Sequence, residues 1–76
     1  MNNYYGIILN SEGKVYYFNG KELELDVNQY VFVETERGLQ LGKVARKIDE
    51  SKIKIPIEEV KCILRVATEY DYNFYL

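Results

Sequence analysis

Between Val33 and Ala45 the chain reads VETERGLQLGKVA, a charged tetrad and two glycines set between apolar runs. Within it, Gly38-Leu-Gln-Leu-Gly42-Lys43-Val44 approaches the loop with which nucleotide-binding enzymes cradle phosphate. That chemistry needs four residues between the glycines, then Lys, then a Ser or Thr whose hydroxyl binds Mg²⁺. A helix must also begin there to aim its N–H groups at the phosphates. Here three residues separate the glycines, Val44 cannot ligate a metal, and Leu39 and Leu41 alternate as in a strand. The stretch reads as a turn at Arg37-Gly38, with Gly38 at positive φ, running into a strand in which Gly42 marks a bulge or sharp bend.

Other catalytic groupings are equally thin. The chain has no histidine, which removes the usual base near neutral pH and the commonest metal ligand. Its one cysteine, Cys62, sits in an apolar run without a histidine partner, the setting of a buried structural thiol. Glu58 and Glu59 alternate sides on a strand and read as solvated charge. Glu34 and Glu36 share a face, which paired-carboxylate chemistry would need, but an exposed pair at a hairpin end is the plainer reading. The chain is expected not to be an enzyme and to hold no metal or cofactor.

The elements that position these residues follow from periodicity. Tyr4–Leu9 is an apolar run suited to a buried strand, and residues 10–13 (NSEG) form a turn. Lys14–Phe18 is a strand ending at Asn19-Gly20, a strong two-residue hairpin signal. Lys21–Leu25 alternates, with Leu23 and Leu25 on one face, and Asp26–Gln29 is polar and turn-like. In Tyr30–Glu36, Val31 and Val33 oppose Tyr30 and Phe32. Ile53, Ile55 and Ile57 alternate again, with Pro56 placing them at an edge or strand end. Val60, Cys62, Leu64 and Val66 line one face of a last strand, or Glu58–Ala67 is helical. Thr68-Glu-Tyr-Asp71 has an N-cap hydroxyl with an acid three residues on, the start of a helix. The sum is a mainly β fold: a small antiparallel SH3-like barrel of five to six short strands over 1–67, and the beginning of a helix over 68–76.

Seventy-six residues make one domain, and a chain this short buries only about 60% of its unfolded surface. Aromatics, eight Tyr and three Phe, therefore carry much of its core. The net charge of −2 argues against a generic phosphate-backbone binder. Charge is unevenly spread, however: seven of the ten basic residues lie between Lys43 and Arg65, and acids crowd the earlier half. No apolar run reaches the roughly 20 residues that span a bilayer, and the start, MNNYYGIILN, lacks the basic region and cleavage site of a secretory signal. A single cysteine suits a reducing compartment, so a cytoplasmic location without membrane insertion is expected.

The run KVYYFNGKELELDVNQYVFVETERGLQLGKV, followed by RVATEYD, resembles the N-terminal part of the YaaT-like (RicT) proteins, bacterial regulators carrying the domain named after the yeast polymerase-suppressor protein. VETERGLQLGKV, residues 33–44, matches that family's "V-E-T-E-R-G-x-x-x-G-x-V", and Arg65, Ala67, Thr68, Glu69 and Asp71 match its "R-x-A-T-x-x-D". The sequence departs at Asp26–Gln29, where many members have a Gly-Asp turn. Members also continue well past this length, so the resemblance implies a fragment or a truncation. The family is associated with iron–sulfur clusters through cysteines in that further part, none of which Cys62 matches. For the full-length protein the resemblance implies a cytoplasmic regulator that acts with small helical partners in RNA processing, sporulation, competence and biofilm development.

The function expected of this chain is therefore that of a non-catalytic adaptor module. Its partner-binding candidates are Arg37, Glu34 and Glu36 at the hairpin end, because Arg is enriched at interface hot spots. The Arg37 guanidinium could also pair locally with Glu36 or Glu34. The rival is an RNA-contacting barrel that uses Lys43, Arg46, Lys47, Lys52 and Lys54 with surface tyrosines. Tyr16, Tyr17 and Phe18, beside Lys14 and Lys21, could stack bases, although core packing uses the same residues. The aromatic tail 70–76 is expected to pack back on the barrel or to mediate self-association.

Overall fold

The computed structural model describes residues 2–9 and 13–75, without the side chains of Tyr72, Phe74 and Tyr75. Its elements are β1 (Asn3–Ile8), β2 (Val15–Lys21), β3 (Tyr30–Thr35), β4 (Gly38–Ile48), β5 (Ile63–Val66) and a helix, α1 (Glu69–Tyr75). The strands form one antiparallel sheet in the order β2-β1-β4-β3-β5. That sheet curls until its two ends meet. Asn19 of β2 bridges Cys62, just ahead of β5, and the Asn19 N–H donates to the Lys61 carbonyl at 2.8 Å. The mainly β architecture read from the sequence is thus present as a five-stranded, curled half-barrel with a short C-terminal helix.

The long strand β4 makes the curl. Its first half, Gly38–Lys43, pairs with β3, and its second, Lys43–Ile48, pairs with β1. Gly6 faces Arg46 while Ile7 faces Val44, so Ala45 is an extra residue on β4. An extra residue bends the strand that carries it and sharpens its twist. The bulge expected at Gly42 therefore lies further along, at Ala45. Gly42 itself keeps regular register opposite Val31, and its lack of a side chain serves close packing: a Cβ there would overlap Ile7 Cγ2.

Tyr4 and Tyr5 are both buried on β1 and, being consecutive, point to opposite faces. Tyr5 joins Ile7, Phe18, Val31, Val33, Val44 and Ile63 in the main core, while Tyr4 packs with Ile48 and Val60 in a second, smaller cluster. β3 likewise buries three consecutive residues, with Val31 and Val33 in the main core and Phe32 on the other side.

Four local expectations need correction. Asn19-Gly20 is not a hairpin turn but lies inside β2, where Asn19 pairs with Tyr4. The chain reverses just after, with Lys21 at φ 53° and the Leu23 N–H donating to the Gly20 carbonyl at 2.9 Å. Asn19 is nearly buried and its Oδ1 accepts from the Lys21 N–H at 2.7 Å, while a Cβ on Gly20 would come within 2.8 Å of the Tyr5 ring. Gly20 is needed for that ring, not for a left-handed turn.

Lys21–Leu25 is not a strand. Leu23 and Leu25 do both pack on the main core, but as a strap held by the Tyr5 hydroxyl, which donates to the Leu23 carbonyl (2.8 Å) and accepts from the Leu25 N–H (3.0 Å). Nor do Ile53, Ile55 and Ile57 make a strand. They lie in and around two 3-10 turns, Glu50–Lys52 and Ile57–Glu59; Ile53 and Ile57 pack on the second cluster and Ile55 is exposed.

Finally, Glu58–Ala67 divides between the second 3-10 turn and β5. Phe32 faces Arg65 while Val33 faces Ile63, leaving Leu64 as an extra residue. That bulge shifts the faces, so Ile63 takes the buried place opposite Val33 and Leu64 is exposed, the opposite of simple alternation counted back from Val66. The turn at 26–29 does form, with Asn28 at φ 75° and the Gln29 N–H on the Asp26 carbonyl. The expected turn at 10–13 lies outside the described residues except for Gly13. So do Leu76 and three of the side chains invoked for the aromatic tail; Tyr70 is exposed.

Candidate functional site

β3 crosses to β4 through Glu36-Arg37. Thr35 pairs with Gly38, and Gly38 takes φ 99°. A tight turn followed by a left-handed glycine is a common hairpin connection, because it continues the twist of the two strands. Thr35 Oγ1 organises the turn: it accepts from the Arg37 N–H (3.1 Å) and from Gln40 Nε2 (3.0 Å), and donates to the Gly38 carbonyl (3.3 Å). Arg37 is thereby held at an exposed tip by its backbone while its side chain is left over. The local pairing expected with Glu34 or Glu36 is not made; among the described residues the salt bridge joins Arg65 and Asp71 instead.

Beside the tip lies an open groove of about 800 Å³. One wall is β2, through Tyr16, Tyr17 and Phe18. The other is the chain ahead of β5, through Lys54, Ile55, Glu59, Val60 and Lys61. The hairpin supplies Thr35, Glu36, Arg37 and Gln40, and Leu9 and Lys14 complete the lining. Phe18 and Val60 are buried, whereas Tyr16, Tyr17 and Ile55 are 44%, 37% and 53% exposed. Four cations, Lys14, Arg37, Lys54 and Lys61, face this space against two carboxylates, Glu36 and Glu59. On a chain of net charge −2 this is a local reversal of sign.

The residues singled out from the sequence separate here. Arg37 and Glu36 line the groove, while Glu34 borders a smaller recess with Thr35, Lys61, Cys62 and Leu64. Of the basic stretch only Lys54 reaches the groove. Lys43, Arg46 and Lys47 lie along β4, and Lys52 ends the first 3-10 turn. Lys61 had no signal in the sequence; its place beside β2 comes from the non-local Asn19 contact.

The second family-like segment builds something different. Thr68 Oγ1 accepts the Asp71 N–H at 3.2 Å, and Asp71 Oδ2 accepts the Thr68 N–H at 2.9 Å, a reciprocal cap on the first turn of α1. Arg65 donates to both carboxylate oxygens of Asp71, at 2.7 and 3.2 Å. Its guanidinium also lies 4.6 Å from the centroid of the Phe32 ring. The Arg65 hydrogen bonds, then the Thr68 N–H, hold the Asp71 carboxyl well below the usual carboxylate range. The Ala67 N–H donates to the Tyr30 carbonyl at 2.9 Å, so the chain enters α1 already tied to β3.

No three His, Cys, Asp or Glu side chains among the described residues gather as a metal site. The donor chemistry does not fit an iron–sulfur cluster either, since such clusters normally take four Cys or His ligands and this chain has one cysteine and no histidine. No helix among the described residues is long and apolar enough to cross a membrane.

Over 74 residues, 93% of its length, the chain is 32% identical to the stage 0 sporulation protein YaaT of Bacillus subtilis (strain 168). It spans about a quarter of that protein, 26% of its length. No family model matches the sequence, and no solved structure matches it.

Proposed function

This chain is YaaT-like, and we propose that it is a non-catalytic adaptor module of a sporulation-related regulatory protein. In this reading it works in the cytoplasm, with small helical proteins of one regulatory complex as its partners, and the complex supports RNA processing. The observation that carries the reading is the hairpin tip: Arg37 is fixed by its backbone at the mouth of a groove, with no ion pair among the described residues. A guanidinium so placed meets a partner's carboxylate without first breaking a bond of its own. Around it, half-exposed Tyr16, Tyr17 and Ile55 offer the aromatic and aliphatic area on which interfaces are built. Capture of the helical partners by the YaaT-like protein carrying Arg37→Ala tests it. Weakened capture is expected, and capture equal to the parent would refute the role given to Arg37.

A second reading is favoured by the same groove's excess of cations beside two half-exposed tyrosines, a combination that suits single-stranded RNA. It requires that binding of a short oligouridylate weaken linearly in log affinity against log salt. Binding that is absent, or indifferent to salt, would exclude it.

A further inference from the structure

The geometry of β2 points to the manner in which the groove takes its partner, and the inference rests on the groove being the working surface. We propose that the outer edge of β2 accepts an extended acidic segment of a partner chain as an added strand. β2 is the first strand of the sheet and has β1 on one side alone. The Asn19 N–H points away from β1, to the Lys61 carbonyl. In an antiparallel ladder every second residue turns its backbone groups to the same side. Tyr17 and Val15, two and four residues back in unbroken register with Gly6 and Ile8, therefore also turn N–H and C=O outward. Among the described residues neither makes a hydrogen bond there. The chain ahead of β5 covers the edge at Asn19, and among the described residues nothing pairs with that edge at Tyr17, which lines the groove.

An uncovered edge is a template for another strand, and its backbone bonds supply affinity without regard to sequence. Charge supplies the selection. Lys54 and Lys61 stand across from β2, with Arg37 at the hairpin mouth. A segment lying between them is drawn in by carboxylates at alternate positions, since an extended chain presents every second side chain to one face. Its intervening apolar side chains then meet Tyr16. Glu36 and Glu59 interrupt the cationic lining, which suits spaced carboxylates better than a continuous run of phosphates.

The test uses the full chain and three probes: a short peptide alternating valine and glutamate, the same peptide with glutamine for glutamate, and a short oligouridylate. Amide exchange is followed at Tyr17 with each. The acidic peptide is expected to slow exchange at Tyr17 at least ten-fold, to bind at least ten-fold tighter than the glutamine version, and to lose most of that advantage against Lys54→Glu/Lys61→Glu. Acidic-peptide binding with the Tyr17 amide unprotected overturns edge pairing while leaving the groove as the working surface. Oligouridylate binding without peptide binding overturns the proposal in favour of nucleic acid. If no probe binds, the proposal fails, and partner capture by Arg37→Ala still judges the adaptor reading separately.

Discussion

Arg65 and Arg37 each sit in a segment that carries the YaaT likeness, and the fold uses them in opposite ways. Arg65 commits its guanidinium to contacts within the chain at the surface, with two bonds to Asp71 and a face on Phe32. Arg37 is fixed through its N–H to Thr35 and lines a groove, and its side chain makes no ion pair among the described residues. One segment fastens the helix to the barrel; the other presents a side chain outward. Likeness to a family at both places thus has two physical causes. Only the second identifies a candidate contact surface.

The largest expected effect is at the clasp's platform. Phe32 is 1% exposed, and Phe32→Ala should cost about 3–5 kcal/mol, a large share of the margin of so small a domain. Thermal melting reads it directly. A parent-like melt would show that Arg65 does not need its ring and would dissolve the contrast with Arg37. Next is the tip's own scaffold. Gly38 has open space around it but φ 99°, so Gly38→Val is limited by backbone strain of about 1–3 kcal/mol and not by packing. If this variant melts like the parent, the turn that aims Arg37 is wrong.

A smaller effect separates the two regions by pH. Asp71 is more acidic folded than the ordinary carboxylate value of 3.8, so its stabilisation is complete above that value. As pH falls through the lowered folded value, the unfolded chain gains the proton first and the contribution drains away. Amide protection at the start of α1 should therefore hold from pH 7 to about 5 and decline below pH 4, and Asp71→Asn should flatten that decline. Equal decline in Asp71→Asn would place the titration elsewhere.

How much of this was legible in the sequence depended on range. The capping pair Thr68–Asp71 and the positive φ of Gly38 are local, and the sequence located them, although the turn expected at Arg37-Gly38 falls one residue earlier, at Glu36-Arg37, with Gly38 opening β4. Val31 and Val33 likewise followed from alternation in an unbroken strand. Errors came where a non-local contact decided. Asn19-Gly20 has turn composition, but the Tyr5 ring and the Lys61 carbonyl keep it in β2. The bulge at Leu64 shifted the faces of β5, and an inserted residue leaves no mark in a run of apolar side chains. The groove was half visible: Arg37, Lys54 and the tyrosines stood out by type, but their meeting with Lys61 depends on where the curled sheet closes.

The smallest expected change in stability bears on the central claim, that Arg37 serves a partner and Arg65 serves the fold. Arg37→Ala should melt within about 0.5 kcal/mol of the parent, because an exposed tip contributes little packing. Arg65→Ala should lower the melt and the protection of α1. The deciding measurement is partner capture by Arg37→Ala, made on protein whose melt matches the parent. Weakened capture with the fold intact is expected; capture equal to the parent would mean that Arg37 serves no partner.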